Sequence, residues 1–360
     1  SSVDSLYNGG NAIDLDGNIY VCGYTGVANN TDFLTIKYSP TGQRLWVKTY
    51  NGTGNGDDQA FDIAIDNDNN CYVLGSSIGA GTGNDIVLIK YAPDGNQLWV
   101  NRYNGTPNNE DVPIALAVDL SGNVYITGYT KPDLTSSTIL TIKYSKTGSV
   151  KWIKTYSNFL VNTPSDIKID MSGNILVSGS TASNINSDYI TIKYNTNGSQ
   201  LWVRQYNNGF SDNTQALAVD NNNNIFITGA SGDLYGQWNI ATVKYNPSGV
   251  QQWVAHTGGR SFDITTDNLG YIYITGWYNT NGVTIKYNTN GVEQWKDFYS
   301  SNYFNGVDEL KAITLDKNND VYVTGWSATA PNAVKYFDMV TIKYDTDGNE
   351  KWMEIQNGDY

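Results

Sequence analysis

The chain has 360 residues, 39% of them hydrophobic and 13% aromatic, enough to bury a large core, while only 16% are charged and the formal net charge is −13. That balance argues against a nucleic-acid ligand, because a phosphate backbone needs a basic face. No apolar run approaches the roughly 20 residues of a membrane span, and a single histidine excludes a multi-histidine metal site.

The first stretch, "SSVDSLYNGG", lacks both Met and a signal peptide, as expected of a processed, secreted chain. Its "VDSLYNG" aligns with the end of a later stretch, "WVKTYNG". Residues 3–7 are therefore expected as an extra strand on the edge of the last repeat or of a neighbouring molecule. In the second case strand addition between copies would allow self-assembly, with the chain as a filament subunit.

Next come "AIDLDGNIYVCG" and "DFLTIKYSPTGQRLWVKTYNG", and the latter returns 53 residues on as "DIVLIKYAPDGNQLWVNRYNG". An Ile/Val-Lys-Tyr tripeptide recurs at Lys37, Lys90, Lys143, Lys193, Lys244, Lys286 and Lys343, at separations of 53, 53, 50, 51, 42 and 57 residues. Nine residues after each lysine stands a tryptophan: Trp46, Trp99, Trp152, Trp202, Trp253, Trp295 and Trp352. Five after each stands a glycine, from Gly42 to Gly348, and a preceding block always sets an aspartate nine residues before a glycine, from Asp14/Gly23 to Asp316/Gly325. Spacings fixed inside a unit and variable between units mean one supersecondary unit repeated seven times.

The second unit shows the parts. "FDIAID", "CYVLGSS", "DIVLIKY" and "QLWVNRY" are four runs rich in Val, Ile, Tyr and Trp. The third residue after the block aspartate is only ever Gly or Asn (Gly17, Asn69, Gly122, Gly173, Asn223, Gly270, Asn319), as a left-handed position in a tight hairpin demands. Four strands joined by hairpins form a meander that is apolar on both faces, so each sheet needs a neighbour on either side. The predicted fold is all-β: a seven-bladed β-propeller of four-stranded antiparallel blades, almost free of helix. It is expected as one domain over residues 1–360, with blades near 8–50, 58–103, 111–156, 164–206, 214–255, 261–299 and 308–356.

The repeated lysines and tryptophans are expected to be structural. Burying each tryptophan contributes on the order of 2–3 kcal/mol. Each lysine shares a face with Thr between covered sheets, so each needs a carboxylate or main-chain carbonyls, or must snorkel to the rim. The candidate carboxylates are Asp58, Asp111, Asp212 and Asp308 before the innermost strands and Asp32, Asp85, Asp188 and Asp338 before the lysine strands. Cys22 and Cys71 sit at different heights of their strands and are expected to be free, buried thiols.

Acidic turns such as "DLDGN", "DNDNN" and "DTDGN" look like calcium loops but miss the EF-hand spacing. No cofactor or metal site is expected, calcium being the one ion these turns leave open, and no catalytic residue is assigned. Asp62, Asp166 and Asp263 hold equivalent innermost positions, either as repeat-derived polar groups or as carboxylates facing a channel. His256, three residues after Trp253, is expected to be structural.

The informative departures are aromatic. The residue after each block glycine is Tyr24, Ser76, Tyr129, Ser180, Ala230, Trp277 or Trp326, so tryptophan appears only in blades six and seven. Trp238 is a further tryptophan off the repeat position, and blade six is the shortest, with Gly276 and Lys286 ten apart. Trp277, Trp326 and Tyr24 are expected on consecutive blades of one face, with Asn279 and Asn281 beside them to read hydroxyl groups of a glycan, or to meet a protein partner. The competing reading is that these aromatics only fill space between blades.

The "AVDLSGNVYITGYT" block and the "TIKY…G…W…Y" run resemble the bacterial β-propeller repeat family often called SBBP, over the whole chain. "YSPTGQRLW" is similar to the tryptophan-docking motif of quinoprotein propellers, in which a tryptophan of the outermost strand wedges between adjacent blades. The resemblance implies that the "AID" strand is innermost and the tryptophan strand outermost, and it implies a secreted or cell-surface, bacterial setting. It implies no particular activity. The expected function is a non-enzymatic extracellular binding or structural module, the alternative a glycoside hydrolase or polysaccharide lyase with carboxylates at the channel face.

Overall fold

The computed structural model describes residues 3–5 (backbone only), 10–183, 186–301, 306–329 and 337–357. Among them there is no helix; the strands form seven antiparallel sheets, a seven-bladed β-propeller. The chain groups into two compact units, one of Ser1–Ile169, Thr181–Ile185 and Tyr194–Gln200, the other of Asp170–Ser180, Asn186–Lys193 and Leu201–Tyr360.

Blade two, in the first unit, shows how the repeat becomes structure. Its strands are Asp58–Ile65, Cys71–Ile78, Asn84–Tyr91 and Gln97–Tyr103, paired in sequence order. The second and third strands are almost wholly buried, because both faces are covered. The turn positions adopt the left-handed conformation that their Gly/Asn restriction predicts, with φ between 60° and 82°. Cys22 and Cys71 are free and buried in one apolar cluster of this unit.

The fixed spacing of nine between lysine and tryptophan is a register rule. Lys90 lies directly across from Trp99 on one side and from Tyr72 on the other. A one-residue bulge between Lys90 and Tyr91 brings the pair opposite each other. The Lys90 Nζ sits 4.6 Å from the Tyr72 ring centroid, a cation–π contact. It also donates to the Asp66 carboxylate and to the Lys146 carbonyl, each at 3.3 Å. Trp99 Nε1 donates to that same Lys146 carbonyl at 3.3 Å.

The device recurs. Lys37 and Trp46 share the Pro93 carbonyl (3.2 and 3.1 Å), and Lys143 and Trp152 share that of Thr196 (3.1 Å each). In the second unit Lys193 and Trp202 share Pro247, Lys244 and Trp253 share Thr289, and Lys286 and Trp295 share Thr346. Trp352 is 43% exposed, stands edge-on to Tyr322 of its own blade, and makes no such bond among the described residues.

The lysines are thus buried or nearly so and all partnered, as a cation between covered sheets requires. Their carboxylates are not the predicted ones. The block aspartates hold them: Asp14, Asp66, Asp170 and Asp316 pair with Lys37, Lys90, Lys193 and Lys343. Of the expected partners, Asp58 and Asp111 instead accept the Gly52 and Gly105 N–H groups at 2.5 and 2.6 Å, and Asp85 pairs with Arg102. The reason is direction. Asp85 stands near the start of the third strand and Lys90 near its end, beside the turn that Asp66 opens. Where no such ion pair forms, at Lys143, Lys244 and Lys286, burial pulls the ammonium below the usual lysine value.

A second correction concerns the N-terminal segment. Val3–Ser5 is not an added edge strand on blade seven or on another molecule; it pairs antiparallel with Ile19–Val27 of its own blade, on the side where Asn11–Ile13 also pairs. Asp4 faces Thr25, two residues after Gly23, as Asp58 faces Ser77, two after Gly75. The segment therefore opens the innermost strand of blade one. It is displaced in sequence because Asp4 and Asp14 are ten apart where Asp58 and Asp66 are eight apart. The remainder of the expected strand, residues 6 and 7, lies outside the described residues.

Two outcomes test this framework. Lys90→Met leaves Asp66 buried without its cation, and its unfolding free energy in urea should drop by about 3 kcal/mol; Lys151→Met, at an exposed position, should stay within about 0.5 kcal/mol. The second concerns acid. Burial alone would raise the Asp66 carboxyl, but hydrogen bonds from Asn70 and Tyr72 and the Lys90 charge outweigh it and hold the group below its ordinary value. A folded value below the unfolded one stabilises the fold above about pH 4, and that stability is lost as the pH falls through the folded value. Asp66→Asn should thus unfold with a flatter pH dependence below about pH 4 than the wild type; parallel curves would refute the linkage.

Candidate ligand-binding cleft

Blades five and six, both in the second unit, are joined unlike other consecutive blades. Blade two passes to blade three through seven residues, 104–110, between Tyr103 and Asp111. Blade five ends with Gln251–Gly258 and blade six begins with Arg260–Thr266, so Gly259 alone connects them. The next hairpin is also minimal, since Asn279 and Thr280 join Ile272–Tyr278 to Asn281–Tyr287 and Asn279 is left-handed (φ 57°).

Glycine is obligatory in this connection. Gly259 has φ 111°, and a Cβ there would lie 2.1 Å from the Trp277 carbonyl oxygen. A Cβ on Gly258 would lie 2.2 Å from the Tyr278 ring. The Gly259 N–H donates to the Trp238 carbonyl at 3.0 Å, which ties the connection to the third strand of blade five.

With no loop above it, the junction opens as a cleft of about 330 Å³, within the range of small-ligand sites. Blade five supplies Gln237, Trp238 and Asn239 to one wall, and blade six supplies Trp277, Tyr278 and Asn279 to the other, with Gly258 and Gly259 between them. Trp277 is partly exposed, but its Nε1 is shut from solvent and has no hydrogen-bond partner among the described residues. The accessible part of that indole is therefore carbon. Tyr278 is 36% exposed, and Tyr235 at the tip of the blade-five hairpin is 79% exposed.

Of the residues singled out in the sequence, Trp277 and Asn279 line the cleft. Trp326 does not: it stacks on Phe337 (centroids 5.9 Å apart, planes at 29°), and Lys311 Nζ lies 4.6 Å from its ring. Asn281 accepts from the Thr280 hydroxyl at 3.3 Å, outside the cleft. Tyr24 lies in blade one, in the first unit, half-buried and opposite Phe33. One further residue was singled out in the sequence without a place, and one feature was not. Trp238 was visible only as an unplaced tryptophan, and the "GG" of "HTGG" carried the missing-loop signal.

The other candidates have structural partners. His256 Nε2 meets the Tyr206 hydroxyl at 3.1 Å, and burial lowers its pKa. Asp62 accepts the Ile63 N–H with one oxygen and the Leu116 N–H of the next blade with the other, both at 2.8 Å. Asp263 does the same with Ile264 and Ile313. Asp166 accepts from the Ile167 N–H and from Lys168 Nζ. Burial nevertheless pushes the Asp62 carboxyl up to about 6, outweighing its two N–H bonds. Among the described residues no group of three or more His, Cys, Asp or Glu side chains is placed to hold a metal ion, and no helix is long and apolar enough to cross a membrane.

No curated protein matches the sequence. Solved structures do. BamB from Moraxella catarrhalis is similar at 14% identity and a TM-score of 0.53, over 93% of this chain and 84% of that one. The polysaccharide lyase Uly1 is similar at 10% identity and a TM-score of 0.57, over 97% and 90%. The WD40 domain of Neurospora crassa Pan2 is similar at 9% identity and a TM-score of 0.53, over 87% and 84%. At these identities the likeness is one of fold. Residues 102–134 and 201–235 match the family model described as SBBP, Beta-propeller repeat, and at these two places the chain carries the repeat of that family.

Proposed function

We propose that the protein is a binding module, without catalysis of its own, that takes a carbohydrate in the cleft between blades five and six. The observation that carries the reading is the pairing of the Trp238 and Trp277 indoles in one cleft with the amide side chains of Gln237, Asn239 and Asn279. Flat aromatic surface suits the C–H faces of a sugar ring, and amides both donate to and accept from hydroxyl groups. A secreted or cell-surface, bacterial setting fits such a module.

The carboxylates named for the enzyme alternative, Asp62, Asp166 and Asp263, each accept hydrogen bonds within the fold, which supports a structural role. A glycoside hydrolase needs two carboxyl groups facing one bond, whereas Asp62 and Asp263 each spend both oxygens on main-chain N–H groups. The fold likeness to a polysaccharide lyase carries no residue across at 10% identity.

An array of neutral and acidic glycans probed with the purified chain tests the reading. Trp238→Ala and Trp277→Ala should each weaken binding of the best ligand about tenfold, the equivalent of about 1.4 kcal/mol. Trp326→Ala should leave it unchanged, since that ring does not line the cleft and is stacked on Phe337. An array without hits, or undiminished binding by both cleft variants at unchanged thermal stability, overturns the proposal.

A further inference from the structure

We infer that the cleft selects a sugar bearing a carboxylate, a uronate, and that Arg260 is the group that reads it; the inference rests on the carbohydrate reading above. Arg260 follows the Gly259 connection directly, and its Cα lies opposite that of Trp277, a wall residue of the cleft. Its side chain spans the junction: the guanidinium carbon lies 4.6 Å from the ring centroid of Trp238, on blade five.

This guanidinium is exposed and has no hydrogen-bond or carboxylate partner among the described residues. Arg44 is likewise exposed and unpaired among the described residues, so what sets Arg260 apart is its place at the junction against Trp238. The arginines elsewhere with structural roles are spent. Arg102 donates to Asp85 and to Ser77, and Arg204 donates to the Gly249 and Val203 carbonyls. The cation–π contact with the indole holds the guanidinium at the junction, and its N–H fork has no partner among the described residues. A held, unpaired fork at the edge of an aromatic cleft is the complement of a carboxylate, which accepts two parallel N–H bonds.

The one charged side chain lining the cleft does not cancel it. Asp233 accepts the Gln237 and Tyr235 N–H groups at 2.9 Å each and the Asn239 amide at 3.3 Å. Those bonds hold its carboxyl below the ordinary value, so it is ionised, but its oxygens are turned onto its own hairpin. A ligand carboxylate on the Arg260 side therefore meets a free cation.

Calorimetry with two trisaccharides tests this, one ending in glucuronate and the other, otherwise identical, ending in glucose. The wild type should bind the glucuronate form about tenfold more tightly. Arg260→Gln should abolish that preference and keep the affinity for the neutral form, and Arg260→Lys should retain part of it. Equal wild-type affinities, or a preference that survives Arg260→Gln, overturns the inference and leaves the neutral-sugar reading standing. So does a loss of both affinities alike in Arg260→Gln with a lowered melting temperature, which makes the residue a packing element. Tighter binding of a sulfate ester at the same sugar position overturns the carboxylate assignment. Binding of neither trisaccharide by the wild type, on a chain that also fails the glycan array, overturns both readings together.

Discussion

Within each unit, the joint between consecutive blades turns on one main-chain carbonyl that accepts two donors. The carbonyl belongs to the turn before the outermost strand of the following blade, and the donors are a lysine ammonium and a tryptophan indole from adjacent strands. A carbonyl has two acceptor sites, so both donors are satisfied at once. The ammonium is the demanding partner. Buried between sheets, it is tolerable only if its charge and its N–H groups are met together. The ring of the strand-two tyrosine, the block aspartate and this carbonyl meet them from three directions in blade two. The indole then needs a flat place to lie. Gly148 provides it beneath Trp99, where a Cβ would stand 3.0 Å from the ring, and Gly249 does so beneath Trp202 at 2.9 Å. That glycine therefore answers to two constraints, its left-handed turn and the ring of the blade before.

This joint explains why the architecture was legible in the sequence. Lysine, turn glycine and tryptophan are tied by register and by a bulge, so their spacing cannot drift without losing the bond. Loops between blades carry no such tie and vary freely. The same logic explains what was misread. The lysine's carboxylate was sought at the wrong end of its strand because alternation gives the face of a side chain, not which end its stem runs toward. The likeness of "VDSLYNG" to "WVKTYNG" suggests a tryptophan strand, whereas the place of residues 3–5 is set by Asp4 standing opposite Thr25. A two-residue insertion before Asp14 hid that correspondence, since a repeat is recognised by its spacing.

The candidate site was half legible for a related reason. Trp277 stood out as an aromatic where other blades place small residues or tyrosine, and Asn279 followed from the tight hairpin. Trp326 carried the same sequence signal, yet its ring is taken up by Phe337 and Lys311, partners that lie eleven and fifteen residues away along the chain and face it only after folding. Position in a repeat predicts where a side chain starts; its neighbours decide whether it is free. Trp238 shows the converse. It stands off the repeat position in the sequence and becomes part of a wall because Gly259 ties blade six to the strand it begins.

The cleft thus arises by subtraction. A repeat protein built on one joint has blades that resemble one another where the joint forms, and its freedom lies in the connections. Between blades five and six that freedom was used to remove a loop, and a connection of one residue forces glycine at 259, where φ is 111° and the Trp277 carbonyl lies against the backbone. The strand-end side chains Trp238 and Trp277 flank this one-residue connection and line the cleft. The joint below is untouched, because Lys244 and Trp253 still share the Thr289 carbonyl at 2.9 and 3.0 Å. The candidate cleft and the joint therefore lie in different parts of the same two blades. On that separation, substitutions in the aromatic walls or at Arg260 leave the carbonyl joint itself intact.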